Sequence, residues 1–211
     1  MPIRIRKPIP GRPFEPRKKP LQDRSSVLVD AIVEASIRIL ERDGWPGLTT
    51  TAVARRAGVS VGSLYQYFPN REAIVVELLR RRTRRLVEAV LGADLSSCSG
   101  PAEGARCLMA AFVSEKQAML GLSLALRDIL PAVQGRSVIV EEARRYLPAL
   151  EDKLSEAGLR TSDTTRIGLA LVAIESAGWE FIARDADALS RPETVETLAG
   201  LLLASVGAIR V

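Results

Sequence analysis

The sequence predicts an all-α fold of about nine helices, with an N-terminal three-helix domain of helix-turn-helix type followed by a larger C-terminal helical domain. Hydrophobic residues make up 47% of the 211 residues and aromatic residues only 4%, a balance that favours helices over sheets. Apolar residues recur at steps of three and four along most of the chain, as on the buried face of an amphipathic helix. The sequence shows neither strand-like alternation nor an internal repeat.

Residues 1–25 are predicted to form a flexible, basic, proline-rich arm. The first 24 residues hold eight basic side chains against two acidic ones, and their few apolar residues cannot offset the entropy of ordering. The arm suits loose contact with nucleic-acid phosphates, and a solubilising tail explains it equally well. It lacks the apolar stretch of a secretory signal, and the longest uncharged apolar run, 197–209, is shorter than the roughly 18 residues of a membrane span. A soluble, cytoplasmic protein without membrane contact is expected.

Caps and periodicity define the helices of the N-terminal domain, residues 26–86. The first helix is expected to end near Gly44. A threonine at 49 or 50 caps the second helix, and Gly58 supplies the left-handed residue that ends it. Ser60 caps the third helix, and Glu72 opens a long fourth one. The four predicted helices cover about 26–43, 50–57, 61–68 and 72–91.

The C-terminal part, residues 87–211, is predicted to contain five more helices after a break rich in Gly, Ser and Pro at residues 92–101. Pro192 suits the first turn of the last helix. The predicted stretches are 102–118, 119–133, 137–157, 162–187 and 192–209.

Charge is divided unevenly along the chain. Residues 1–85 hold 18 Lys and Arg against 8 Asp and Glu, whereas residues 86–211 hold 12 against 17. This division indicates a polyanion-binding module joined to an acidic domain. A solvated basic face without a partner is the alternative. The Arg run at residues 80–85 covers more than one helix face, so some of its members are expected to point at solvent or at a polyanion.

The chain has no histidine and two cysteines, Cys98 and Cys107. Imidazole-based metal sites and His-based catalytic triads are therefore excluded, and we expect no metal and no cofactor. Free thiols without a function are expected at Cys98 and Cys107, with a redox switch as the alternative.

The most informative segment runs from Gly47 to Leu79. Two short helices are separated by a tight turn, and the small residues Ala54, Ala57 and Gly58 stand where the helices meet. Close crossing of two helices requires such residues, and the spacing is that of a helix-turn-helix over residues 49–68. A purely structural helical hairpin is the alternative.

The segment also resembles the TetR family of bacterial transcriptional regulators. The family pattern reads Leu-Thr, Ala-x-x-Ala-Gly-Val-Ser, Leu-Tyr-x-x-Phe, and then a basic residue and Glu. The residues that match it without a gap are Leu48, Thr49, Ala54, Ala57, Gly58, Val59, Ser60, Leu64, Tyr65, Phe68, Arg71 and Glu72. The resemblance implies a DNA-binding regulator, in most cases a repressor, that holds a palindromic operator as a homodimer and is released by a small-molecule effector.

By position, the resemblance assigns DNA contacts to the helix-turn-helix. Gln66 offers a bidentate amide for an adenine edge, and Ser63 can bond to several base edges. Val61 and Gly62 offer methyl contact and close approach, although Val61 also suits a core position. Arg71 stands where the family more often has Lys, which keeps the charge. Phosphate contacts are expected from Thr50, Thr51, Tyr65, Tyr67 and Arg71.

In this family the last two helices form the dimer interface, and an effector pocket lies among the middle helices. Small-residue stripes are compatible with close helix contact between protomers, and an intramolecular core explains them as well. The stripe residues are Ala170, Ala173, Ala177, Gly200, Ala204 and Gly207. The pocket candidates, each of which also suits a core or surface position, are Met109, Phe112, Met119, Arg127, Tyr146, Glu175 and Trp179. The expected effector is largely apolar.

Two other classes of function fit the sequence less well. An enzyme is disfavoured because the sequence has no nucleophile elbow, no phosphate-binding glycine loop and no cluster of metal ligands. An interaction module with a basic end, binding a membrane or an acidic protein, explains the uneven charge but not the pattern of residues 47–72.

Overall fold

The computed structural model describes residues 23–159, 161 and 163–206. Most of the predicted arm, residues 1–22, lies outside the described residues. Gly207 also lies outside them. The described residues form ten α-helices and one short 3-10 helix, without a strand, which confirms the all-α prediction. The helices are α1 (Asp23–Gly47), α2 (Thr50–Ala57), α3 (Val61–Tyr67), α4 (Arg71–Leu91), α5 (Pro101–Ala118), α6 (Leu120–Arg127), α7 (Gly135–Arg144), α8 (Leu147–Glu156), α9 (Thr164–Arg184), the 3-10 helix Ala186–Ser190, and α10 (Pro192–Val206).

The caps of the N-terminal helices follow from their residue types. Regular helical geometry in α1 ends at Gly44, whose φ of 65° is left-handed, a conformation that favours glycine. The Thr49 side chain accepts a hydrogen bond from the Ala52 N–H at the start of α2, and Gly58 ends that helix with a φ of 69°. Ser60 caps α3 and Asn70 caps α4 in the same way. These polar caps bind the free N–H groups of each first turn.

Two predicted C-terminal helices are shorter than expected. The stretch 137–157 divides into α7 and α8, because Pro148 in the first turn of α8 cannot continue a helix from its N-terminal side. The stretch 119–133 is helical only in α6 and continues as turns up to residue 134. Pro131 disfavours helical geometry at the residue before it.

Two hydrophobic cores share helix α4. The first core unites α1 to α4 with α6, through residues such as Ile32, Leu64 and Ile74. The second core unites the C-terminal half of α4 with α5, α9 and α10, and includes Leu86 and Leu108. A shift of α4 therefore displaces side chains in both cores, because close-packed interiors transmit displacement.

The Arg run of α4 forms ion pairs, most of them with neighbouring helices. Arg82 is buried, and the other ion-paired members reach acidic groups on packed helices. Some members of the run still face solvent, as expected, because the side chains of Arg84 and Arg85 are 42% and 59% exposed. The pairs are Arg81 with Asp30 and Glu77, Arg82 with Glu175, Arg84 with Glu142, and Arg85 with Glu115.

Candidate nucleic-acid interface and internal cavity

Helix α3 presents one face to solvent and packs the other into the first core. Leu64 is fully buried, whereas the side chains of Val61 and Tyr65 are 39% and 41% exposed. Gly62 and Gln66 are also exposed. The sequence left open whether Val61 fills the core; the structure places it on the surface beside Gly62. Four residues assigned to DNA contact therefore share one open surface.

A pair of hydroxyl groups connects α2 with α3. Thr50 Oγ1 and the Tyr65 hydroxyl are 3.1 Å apart and hydrogen-bonded. Ser63 is half-buried, and its hydroxyl lies 2.8 Å from Ser60 Oγ, the cap of α3. Thr51 is exposed beside Thr50. Thr50 and Tyr65 thus form a small polar group in which either hydroxyl can turn toward an external acceptor.

Arg71 and Tyr67 are more enclosed than the other assigned residues. The guanidinium of Arg71 lies 3.8 Å from the centre of the Trp45 ring. Its Nη1 also donates to the carbonyl oxygens of Trp45 and Leu48, each at 3.4 Å. Tyr67 is half-buried and packs against the first core. Through these contacts, Arg71 links the end of α1 and the turn before α2 to the start of α4.

A cavity of about 360 Å³ lies among α4, α5, α7, α8 and α9. This volume lies within the range of about 300–1,000 Å³ that is typical of small-molecule pockets. Five of the seven predicted pocket residues line it, namely Met109, Phe112, Arg127, Glu175 and Trp179. Met119 is buried in the second core away from the lining, and Tyr146 packs in a small cluster with Val87, Ala143 and Leu150.

Beside the cavity lies a buried ion cluster that the sequence analysis missed. Glu175 Oε1 accepts from Arg82 at 2.8 Å, and Glu175 Oε2 accepts from Lys116 at 2.9 Å. The side chains of Arg82 and Lys116 are fully buried. Both cations lie over the Trp179 ring, at 4.6 and 5.1 Å from its centroid. We call this group, Arg82, Lys116 and Glu175, the buried ion cluster.

The buried ion cluster shifts the pKa values of its members. Burial lowers the pKa of Lys116 to about 8, because desolvation, together with the charge of Arg82, outweighs the attraction of Glu175. Burial acts to raise the pKa of Glu175, but the charges of Lys116 and Arg82 outweigh it and hold this pKa well below its usual range. Glu175 is therefore ionised throughout the physiological pH range.

The lowered pKa of Lys116 predicts a pH-dependent stability. Between about 8 in the folded state and about 10.4 in the unfolded chain, the unfolded state binds more protons. The contribution of Lys116 to the free energy of unfolding should therefore rise with pH across this window, whereas that of Cys98, whose pKa is raised to about 11, falls. In Lys116→Met this rise should be absent. Urea denaturation of both proteins at several pH values checks the prediction, which parallel pH profiles would contradict.

The candidate dimer residues do not share one face. Ala170 is buried in the second core and lines the cavity, and Ala177 packs against that core. Ala173 is half-buried, and Gly200 and Ala204 are exposed. The outward face of α9 is instead marked by Leu169, 62% exposed, and Val172, 41% exposed. Leu169 and Val172 are three residues apart and therefore lie on the same face of α9.

Cys98 and Cys107 are free thiols whose sulfur atoms lie 2.8 Å apart. The hydrogen bond with Cys107, with a contribution from burial, raises the pKa of Cys98 to about 11. A protonated thiol is a weak nucleophile. The raised pKa keeps the Cys98 thiol protonated at neutral pH.

Two further properties concern membranes and metals. Within residues 23–159, 161 and 163–206, no helix is both long and apolar enough to cross a membrane. The Cys, Asp and Glu side chains in this described part of the chain nowhere form a cluster that could hold a metal ion.

The N-terminal helices match a known family. Residues 32–78 fit the family model of the bacterial regulatory proteins, tetR family. The HTH-type transcriptional repressor KstR of Mycolicibacterium smegmatis is 38% identical over 55 residues, which are 26% of this chain and 27% of KstR. The match thus spans about a quarter of that relative's length. KstR is a regulator, in agreement with the expectation that the chain is not an enzyme.

Solved structures extend the likeness in fold to most of the chain. The fatty acid degradation regulator FadR from Bacillus halodurans has a TM-score of 0.59 at 20% identity, and the alignment covers 92% of this chain and 98% of FadR. FadR from Bacillus subtilis, in complex with stearoyl-CoA, has a TM-score of 0.58 at 21% identity, with 86% and 99% covered. At these identities the likeness shows a shared fold. Residues 32–78 thus match the N-terminal region of the tetR family of bacterial regulatory proteins, and most of the chain shares the fold of these solved regulators.

Proposed function

We propose that the protein is a transcriptional regulator, acting as a repressor, that binds a palindromic operator as a homodimer and releases it when a small molecule enters the cavity. Residues 26–86 bind DNA, and residues 87–211 bind the effector and the second protomer. The observation that carries this proposal is the open face of α3, within the segment that matches the family. An exposed helix of this kind fits the major groove of DNA.

Gly62 supports the role of this face. A Cβ atom added at Gly62 would meet only Ser60 Oγ, at 3.8 Å, which is an ordinary contact. Glycine inside a helix costs about 0.5–1 kcal/mol relative to alanine. Nothing within the protomer requires glycine at this position. Close approach of an external surface would explain why glycine is present. The edge of a base pair is such a surface.

Phosphate contacts are expected to flank the α3 face. Thr50 and Tyr65 place two hydroxyls 3.1 Å apart, so one phosphate can accept from both. The N–H groups at the start of α2 lie in the same turn, and helix N-termini attract phosphate. Arg71, which is held by Trp45, contributes charge at the rim of the interface. Thr51 and Tyr67 complete the proposed set.

The outward face of α9 and α10 is proposed to bind a second copy of the chain. Leu169 and Val172 expose apolar surface on α9. On α10, a Cβ atom added at Gly200 would meet nothing within 4 Å, so the protomer alone does not require glycine there. Ala173 and Ala204 are further small residues of this face. Small residues let helices of two protomers approach closely, and a two-fold axis makes both faces identical.

Helix α4 can couple the cavity to DNA. Its residues Thr83, Leu86, Val87 and Val90 line the cavity, while its first half packs in the first core beneath α3. A dimer on successive major-groove faces must hold its recognition helices about 34–36 Å apart, or further by whole helical turns. A ligand that favours another position of α4 thus lowers operator affinity, and linkage requires operator DNA to lower ligand affinity by the same factor.

Replacing Gln66 with alanine should relax the preference at one base pair in each half-site, at a cost of about 1–3 kcal/mol, because its amide is the bidentate group of α3. Thr51→Ala, at a proposed phosphate contact, should weaken binding to all sequences similarly. Competition binding with systematically varied operators distinguishes the two patterns. A uniform loss in Gln66→Ala would contradict the assignment of this residue to base recognition.

The function is tested by selecting fragments of the host genome on the immobilised protein, followed by footprinting of the retained DNA. We expect enrichment of a few fragments and two protected half-sites related by two-fold symmetry. Retention of fragments in proportion to their abundance would contradict the proposal.

A further inference from the structure

The cavity carries polar atoms that the chain leaves unpaired. Thr83 Oγ1, Trp179 Nε1 and Arg82 Nη2 are buried and have no hydrogen-bond partner within the described part of the chain. Thr83 and Trp179 line the cavity, and Arg82 lies behind them over the Trp179 ring. The indole and guanidinium nitrogens can only donate, and the Thr83 hydroxyl can donate as well. Since unpaired buried donors are unfavourable, this wall suits a molecule that accepts hydrogen bonds.

The same wall has a surplus of positive charge. Arg82 and Lys116 share one carboxylate, that of Glu175. Glu180, the other acidic residue in the described lining of the cavity, already pairs with Arg184. The basic residues that line the cavity are Arg127, which pairs with Asp128, Lys153, which pairs with Glu156, and Arg136. Because charge in a low-dielectric interior is costly unless it is balanced, an anion is favoured over a neutral or cationic group.

The remaining lining is apolar. It includes Leu86 of α4, Met109 and Phe112 of α5, Ile139 of α7 and Leu150 of α8. These side chains offer no hydrogen bonds and favour a hydrocarbon surface. The occupant should therefore be amphipathic, with one polar end.

We infer that the cavity binds an elongated apolar carboxylate, with its carboxylate at Thr83 and Trp179, beside the buried ion cluster, and its hydrocarbon among the apolar side chains. The inference rests on the proposed function, because it names the chemical class of effector for the same cavity.

The test is calorimetric titration of the full-length protein in the absence of DNA. The probes are straight-chain carboxylates from octanoate to hexadecanoate, each below its micellar concentration, with the alcohol and the alkyltrimethylammonium ion of equal chain length. We expect at least one carboxylate to bind about tenfold or more tightly than both of its counterparts, as charge-assisted hydrogen bonds allow. Failure of every carboxylate to bind, or equal affinity for the three head groups, would overturn the inference.

Two conservative variants locate the head group. Thr83→Val removes a hydroxyl at nearly constant volume, and Trp179→Phe removes the N–H but keeps an aromatic ring over the cations. Each should lower carboxylate affinity about tenfold and leave alcohol affinity within about threefold. Thr164→Val, at an exposed position of α9, is the matched control and should leave both affinities unchanged. Equal losses for carboxylate and alcohol in both variants would contradict the proposed position of the carboxylate.

Because these titrations contain no DNA, their failure is distinguishable from failure of the proposed function. If the protein binds a selected operator but no carboxylate, only the proposed class of ligand is wrong. If it binds carboxylates but no specific DNA, only the proposed function as a regulator is wrong.

Discussion

Replacing Glu175 with glutamine should lower the free energy of unfolding by about 3–5 kcal/mol, the range found when one partner is removed from a buried ion pair. Arg82 and Lys116 are fully buried and share this carboxylate. Glutamine keeps the size of the side chain but leaves both cations without a counter-charge. Chemical denaturation followed by circular dichroism measures the loss.

The matched control is Glu180→Gln, one turn further along α9. Glu180 and its partner Arg184 are both exposed, and such pairs contribute about 0–1 kcal/mol. Adding Lys116→Met to Glu175→Gln should restore part of the lost stability, because only one unbalanced cation remains. Equal stability of Glu175→Gln and Glu180→Gln would show that the buried ion cluster does not stabilise the fold as described.

Replacing Leu169 with aspartate should convert the proposed dimer into monomers and lower operator affinity about 10²- to 10⁴-fold. The substitution places charge on the outward apolar face of α9, where Leu169 is 62% exposed in the protomer, so the fold of the single chain should tolerate it. A monomer loses the gain that comes from holding two half-sites at once. Sedimentation and operator titration measure the two effects.

Leu124→Asp is the control for this substitution. Leu124 is 37% exposed, but it lies on α6, outside the proposed interface on α9 and α10. The control should remain dimeric and keep its operator affinity within about threefold. A Leu169→Asp protein that sediments as a dimer and binds the operator normally would place the interface elsewhere.

The boundaries of the N-terminal helices were predictable because capping residues within each turn determine them. Thr49, Gly58 and Ser60 act on the backbone of their own turns, so no knowledge of distant residues is needed. The outward face of α3 was predictable as well. Leu64 and Phe68 are apolar and suit the core, so Gly62 and Gln66, which point elsewhere on the helix, were expected to face solvent. The division of the stretch 137–157 was missed, although Pro148 was the local signal for it.

The buried ion cluster and the faces of α9 depended on distant contacts. Arg82 looks in sequence like its exposed neighbours, and only the packing of α5 and α9 around α4 buries it. The stripe of Ala170 and Ala177 showed that α9 has a small-residue face but not that this face belongs to its own core. The exposed apolar residues beside them, Leu169 and Val172, are the basis of the interface proposed above.

The central claim, that this protein reads a DNA sequence through α3, is tested most directly by equilibrium competition between a genome-selected operator and random DNA of equal length over a series of salt concentrations. The account predicts that the operator binds at least about 10³-fold more tightly at physiological salt. Affinity for random DNA should fall steeply as salt rises, since phosphate contacts alone support it. Equal affinities for the two DNAs at every salt concentration would contradict the account.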